Sequence, residues 1–216
     1  MINISDYTTY LFDFDYTLVD SSKGIVECFR IVLDRNKWLH ISDDAIRRTI
    51  GMTLEDSFAH LTGINDLNRL GALKQEYILE ADIIMSDRTI FYPEALPLIK
   101  KLKENNKQVG IISTKQSRII RESTDKYNVT DLFDIIIGME DVKMTKPDPE
   151  GILLAMLKLS AQPQQTLYFG DNIIDAKTAL NVNVDFIGTT TGMTTRVELS
   201  QYPHKYIVSS LSEITV

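Results

Sequence analysis

Asp13-Phe14-Asp15-Tyr16-Thr17 sets two carboxylates one residue apart, directly after the β-prone run Tyr10 to Phe12. If the chain turns sharply there, both can face one ligand, one attacking as a nucleophile while the other, protonated, serves as a general acid. The same pair also reads as an ordinary acidic turn. Ser113 closes a second apolar run, Val109 to Ile112. Its hydroxyl, with the free N–H groups of a following helix, could hold a phosphate oxygen, or it could simply cap that helix. Lys146 precedes Pro147-Asp148-Pro149. A residue before proline is driven out of the helical region, so Lys146 is either a pre-positioned ammonium for phosphoryl oxygens or an exposed loop lysine. Gly170-Asp171-Asn172-Ile173-Ile174-Asp175 puts two acids four residues apart at the mouth of a helix. Left unpaired they would repel. A divalent cation resolves that, and Mg²⁺ takes one or two carboxylates together with waters and substrate phosphate; the alternative is a pair of helix-capping acids.

These residues need a scaffold that brings positions more than a hundred residues apart to one place. From Tyr92-Pro93 onward, strand and helix patterns alternate. Helices are expected over 94–105, 117–127, 149–159 and 175–180, with strands at 109–112, 135–137, 166–169, 184–187 and 206–208. Apolar strands alternating with helices imply a parallel sheet covered on both faces. In such a sheet ligands bind beyond the carboxyl ends of the strands, where Asp13, Ser113 and Gly170-Asp171 fall. Residues 19–86 differ: apolar residues recur at helical spacing, no strand stands out, and Ser21-Ser22 and Ser42-Asp43-Asp44 mark helix starts. That block reads as an insertion. The expected fold is α/β, a three-layer Rossmann-like parallel-sheet core (1–18 and 87–216) with an inserted all-helical cap domain (19–86).

The ordered set Asp-x-Asp-x-Thr, Ser, Lys-Pro and Gly-Asp-x-x-x-Asp, each beyond an expected strand, resembles the haloacid dehalogenase superfamily over nearly the whole chain. Within it, Leu18-Val19-Asp20-Ser21, Ile50-Gly51 and Gly110-Ile-Ile-Ser-Thr-Lys115 look most like the phosphoglycolate phosphatase group. The resemblance implies a Mg²⁺-dependent phosphatase in which Asp13 accepts the phosphoryl group and Asp15 is the general acid and base. By the same resemblance Thr17, Ser113, Thr114 and Lys146 serve the phosphoryl group and its loop. Asp13, Asp171 and the Asp15 carbonyl ligate Mg²⁺, with Asp175 and Asn172 supporting them. Arg47, Arg48 and Gly51 of the cap are candidates for substrate recognition, since arginines grip a second anionic group such as that of a phosphorylated acid or a pyrophosphate. Tyr16 departs from the family, which usually has Gly there for backbone freedom; it restricts the turn and places an aromatic near the cap hinge.

The rivals are separable. Dehalogenases of the superfamily lack the second carboxylate, because a halide needs no proton, and Asp15 is present. A hexose-phosphate mutase would want cap groups for a second phosphate, yet the aligned positions carry Leu54 and Ile25. A non-catalytic phospho-ligand sensor would be expected to lose the nucleophile or the metal acids. The net charge of −7 argues against nucleic-acid or anionic-membrane partners. The single Cys28, in a helix-like setting, excludes a disulfide framework and fits a reducing compartment. His40, His60 and His204 show no metal-ligand spacing and read as structural. With no apolar run of about 18 residues and a polar start, the expectation is a cytoplasmic monomer or homodimer acting on a small phosphorylated metabolite.

Overall fold

Strands apolar at every position must be covered on both faces, and this requirement organises the molecule. The computed structural model describes residues 1–216. A two-residue β1 (Ile2–Asn3) precedes β2 (Thr9–Phe12), which is buried throughout. Next come a short β3 (Val19–Asp20) and four helices: α1 (Ser22–Arg35), α2 (Asp43–Arg47), α3 (Leu54–Thr62) and the long α4 (Leu67–Arg88). β4 (Ile90–Phe91) returns antiparallel to β3 and closes the helical excursion at its base. Helices and strands then alternate through α5 (Ala95–Glu104), β5 (Gln108–Ile112), α6 (Ser117–Lys126), β6 (Ile135–Ile137), α7 (Glu150–Leu159) and β7 (Thr166–Gly170). α8 (Ile173–Val182), β8 (Asp185–Thr189), α9 (Arg196–Leu199), β9 (Tyr206–Val208) and β10 (Ile214–Thr215) complete the chain.

The central sheet is parallel, in the order β6-β5-β2-β7-β8-β9. Side chains alternate between its faces as a strand's period of two requires. Tyr10, Phe12, Val109, Ile111, Leu167 and Phe169 pack with Leu98, Ile99 and Leu102 of α5 and Ile120 of α6. Leu11, Ile112 and Tyr168 face Ile152 and Ala155 of α7, Ala176 and Ala179 of α8, and Leu199 of α9. The result is the three-layer α/β arrangement expected from the alternating pattern. The four helices after β3 hold a separate apolar cluster centred on Phe29, whose ring lies 4.8 Å from both Phe58 and Tyr77. Tyr16 and Ile119 join that cluster from the sheet side.

Two local readings change. Ser21 does not cap α1: its hydroxyl donates to Asp15, and Asp20 Oδ1 instead accepts the Ser22 N–H at 2.9 Å. Ser42 does cap α2, accepting from the Ala45 N–H at 3.2 Å. The pairs β3–β4 and β1–β10 were not expected. Two-residue strands are too short to show a period of two, and their existence depends on partners distant in sequence.

Candidate active site

β2 lies between β5 and β7 in register, Phe12 level with Ile111 and Phe169. The Asp13 N–H donates to the Phe169 carbonyl at 2.8 Å, extending the pairing one step past the strand. Asp13, Ser113 and Asp171 therefore leave the sheet side by side, and all three are buried. Sequence positions more than a hundred apart become neighbours because three parallel strands end level.

The centre of the site is an ammonium among carboxylates. Lys146 Nζ donates to Asp13 Oδ1 at 2.7 Å and to Asp175 Oδ1 at 2.6 Å, with both pairs almost fully buried. Tyr168 OH donates to Asp175 Oδ1 at 2.9 Å, and the Asn172 N–H donates to Asp175 Oδ2 at 3.0 Å. Asp175 thus has both oxygens engaged and serves as the fixed base of the cluster. Gly170 permits this approach: a Cβ there would lie 2.3 Å from Asp175 Cβ. Gly192 plays the same part for Asp171, whose Oδ2 would stand 1.8 Å from an added Cβ.

Electrostatics mark the cluster as incomplete on its own. Carboxylate oxygens of Asp13, Asp171 and Asp175 lie within 4.8 Å of one another. Three buried acids stand around the single ammonium of Lys146, so when all three are ionised two negative charges are left over. Burial pushes the Asp13 carboxyl up to about 7, with Asp175 and Asp15 adding to the rise and Lys146 opposing it. Asp171 is pushed well above the usual carboxylate range by burial, Asp175 and Asp13. Lys146 is held above its ordinary value by Asp13 and Asp175 despite its burial. An all-oxygen donor set that carries two surplus negative charges when ionised fits a hard divalent cation such as Mg²⁺.

Asp15 stands apart from that cluster. Its Oδ1 forms an ion pair with Lys115 Nζ at 2.9 Å and accepts from the Ser21 hydroxyl, and no donor reaches Oδ2. The backbone turn that separates the two acids places Tyr16 at φ 61°, a left-handed conformation costing a residue with a Cβ about 1–2 kcal/mol. The Tyr16 N–H donates to the Val19 carbonyl at 2.7 Å, the Thr191 hydroxyl donates to the Tyr16 carbonyl, and the ring is buried in the helical cluster. Those contacts hold the strained turn. Thr17 is buried and its hydroxyl has no hydrogen-bond partner.

The helical segment reaches the site through the backbone before α3. Thr114 Oγ1 donates to the Gly51 carbonyl at 3.2 Å, and Asn172 Nδ2 donates to the Ile50 carbonyl at 3.2 Å. Gly51 has φ 100° and a Cβ there would press on Asn172 Nδ2 at 3.2 Å, so Gly suits this approach. Ser113 Oγ accepts from the Lys115 N–H at 3.2 Å. Arg47 and Arg48 do not join this group. Arg47 is drawn to Asp44, one turn back on α2, at 2.8 Å, and Arg48 is exposed. Lys115 and Ser21 are the contacts that spacing did not disclose. Lys115 stands two residues past Ser113, which was the available signal.

The fold and this constellation together define a class. The chain belongs to the haloacid dehalogenase-like hydrolases, whose family model matches residues 10–189. A haloacid dehalogenase-like hydrolase from Bacteroides fragilis is 52% identical, with TM-score 0.94 over 96% of this chain and 99% of that one. Pyrophosphatase PpaX of Oceanobacillus iheyensis is 27% identical over 95% of this chain and 94% of its own length. A Lactobacillus plantarum structure, provisionally named a phosphoglycolate phosphatase, shares the fold at TM-score 0.84 and 23% identity, covering 96% of this chain and 97% of that one. No helix is long and apolar enough to cross a membrane.

Proposed function

We propose that this protein is a Mg²⁺-dependent phosphatase that hydrolyses a small phosphate ester through an aspartyl-phosphate on Asp13. The observation that carries the proposal is the buried cluster of Asp13, Asp171 and Asp175 around Lys146, with Asp15 two residues from Asp13 and outside that cluster. Mg²⁺ would be held by Asp13, Asp171 and the Asp15 carbonyl, with Asp175 and Asn172 bracing them. When bound it neutralises charge on the phosphoryl oxygens.

An Asp13 carboxylate oxygen attacks phosphorus as the ester P–O bond breaks. The departing alkoxide takes a proton from Asp15. Water then attacks the phosphorus, gives its proton to Asp15, and frees Asp13 and phosphate. Lys115 and Ser21 both bind Asp15 Oδ1, which leaves Oδ2 to carry the proton in each direction. Lys146, Ser113, Thr114 and Thr17 stabilise the phosphoryl oxygens and the loop bearing the two acids.

Pyrophosphate is the second reading, supported by the similarity to PpaX proteins. The test is phosphate release from pyrophosphate and a panel of cellular phosphate esters, with Mg²⁺ and with chelator. Release that requires Mg²⁺ and disappears in Asp13→Asn supports the phosphatase reading. Net isomerisation of a hexose phosphate with little release would favour a mutase, and full activity in excess chelator would overturn the scheme.

A further inference from the structure

Between the four helices and the sheet lies a small cleft lined by residues of both. Asp15, Thr114 and Lys115 border it on the sheet side, so it adjoins the point where a leaving group would depart. Its walls are mostly apolar: Ile25 and Phe29 of α1, Leu54 of α3, Ile78 and Met85 of α4, and Ile119 of α6.

The Tyr77 hydroxyl and the Gln116 amide, both neutral, make no hydrogen bond within the protein, and the other polar side chains named here are committed. Thr49 Oγ1 donates to the Ile46 carbonyl at 2.8 Å, Ser57 Oγ to the Thr53 carbonyl at 2.8 Å, and Thr114 Oγ1 to the Gly51 carbonyl. Lys115 is paired with Asp15, and Asp82 at the outer side is paired with Arg118. Neither Arg47 nor Arg48 lines the cleft. A second anionic group placed here would meet hydrocarbon, carboxylates and two neutral polar side chains, and no unpaired cation. Burying a charge without a partner is strongly unfavourable, whereas apolar carbon gains from the same walls.

We propose that the substrate is a phosphate monoester of an apolar, uncharged alcohol, its hydrocarbon part lying in this cleft and its phosphoryl group facing Asp13. The inference rests on the phosphatase reading and narrows it, setting pyrophosphate and phosphorylated small acids aside. Selection then comes from the size and hydrophobicity of the leaving group, with Ile25, Leu54 and Ile78 as specificity residues.

Hexyl phosphate and 5-carboxypentyl phosphate have the same chain length and leaving groups of similar basicity, and differ in one terminal charge. With Mg²⁺, the neutral ester should show kcat/KM at least about tenfold higher. Lengthening a neutral alkyl phosphate should raise kcat/KM by up to about fourfold per methylene until the cleft is full. Ile78→Lys, which adds an ammonium to the wall, should narrow the gap between the two esters. A separate reading is the shift in thermal midpoint that each ester gives to Asp13→Asn protein, which reports binding without turnover. Equal or stronger binding and turnover of the carboxylated ester, or preferred turnover of pyrophosphate, would overturn the inference while leaving the phosphatase reading in place. Selective binding of the neutral ester with no Mg²⁺-dependent hydrolysis of any substrate would overturn the phosphatase reading and support the apolar cleft.

Discussion

Asp13→Asn should make the metal-free protein more stable at alkaline pH, although it removes the proposed nucleophile. In the folded protein the Asp13 carboxyl is raised from 3.8 to about 7, burial being the main cause. The sign follows from which state ionises first. Below the unfolded value both states are protonated and the group is neutral to stability. Between about 4 and 7 the unfolded chain releases its proton while the folded one retains it, so stability falls as pH rises, levelling off above 7. At about 1.4 kcal/mol per pKa unit the full penalty at pH 8 is about 4 kcal/mol. Relaxation around the ionised group absorbs part of it, leaving about 1–4 kcal/mol. An amide of the same shape avoids that penalty, and in a chain of this size each kcal/mol moves Tm by about 2–4 °C. Thermal unfolding followed by circular dichroism, in chelator at pH 5 and pH 8, should show Asp13→Asn melting higher at pH 8. The gap should shrink by more than half at pH 5. Saturating Mg²⁺ should raise the wild type more than the variant. If the variant melts at or below the wild type at pH 8 without metal, the buried carboxylates are not in electrostatic conflict and the metal argument loses its basis.

Asp15→Asn should slow single-turnover phosphorylation by alkyl phosphates by about 10²–10⁴-fold. The loss should be much smaller for nitrophenyl or acyl phosphates, whose leaving groups depart unprotonated; equal losses across leaving groups would mean that Asp15 only positions its loop. Lys146→Met removes the one cation among three buried acids and should cost the metal-free protein about 3–5 kcal/mol in urea unfolding at pH 8. Gly192→Ala should displace Asp171, since the new Cβ would lie 1.8 Å from its carboxylate oxygen. It should weaken Mg²⁺ activation by at least about tenfold while leaving the far-ultraviolet circular dichroism unchanged.

Much of this arrangement was legible in the chain. Asp13, Ser113 and Asp171 each follow an apolar run, and a parallel sheet sets such ends side by side, so the apolar runs of β2, β5 and β7 bring these three together. Side-chain pairing across the fold was not legible. Lys115 and Ser21 both reach Asp15, yet in the sequence Lys115 only closes the motif Gly110 to Lys115 and Ser21 reads as a helix start. Arg47 and Arg48 have the charge to bind an anion, but a nearby Asp44 claims Arg47, and only packing decides which face of α2 turns toward the cleft. Tyr16 stands where the family that the motifs resemble usually has Gly. The left-handed backbone is there, and the ring is accommodated because a neighbouring apolar cluster receives it.

The central claim is that Asp13 carries the phosphoryl group. Protein acid-quenched during turnover with Mg²⁺ and then treated with borohydride should contain homoserine at position 13, because reduction of an aspartyl-phosphate yields that residue. The yield should rise in Asp15→Asn with a nitrophenyl ester, where loss of the base slows release of the phosphoryl group. Unmodified Asp13 in protein that is actively releasing phosphate, in both the wild type and Asp15→Asn, would contradict the claim.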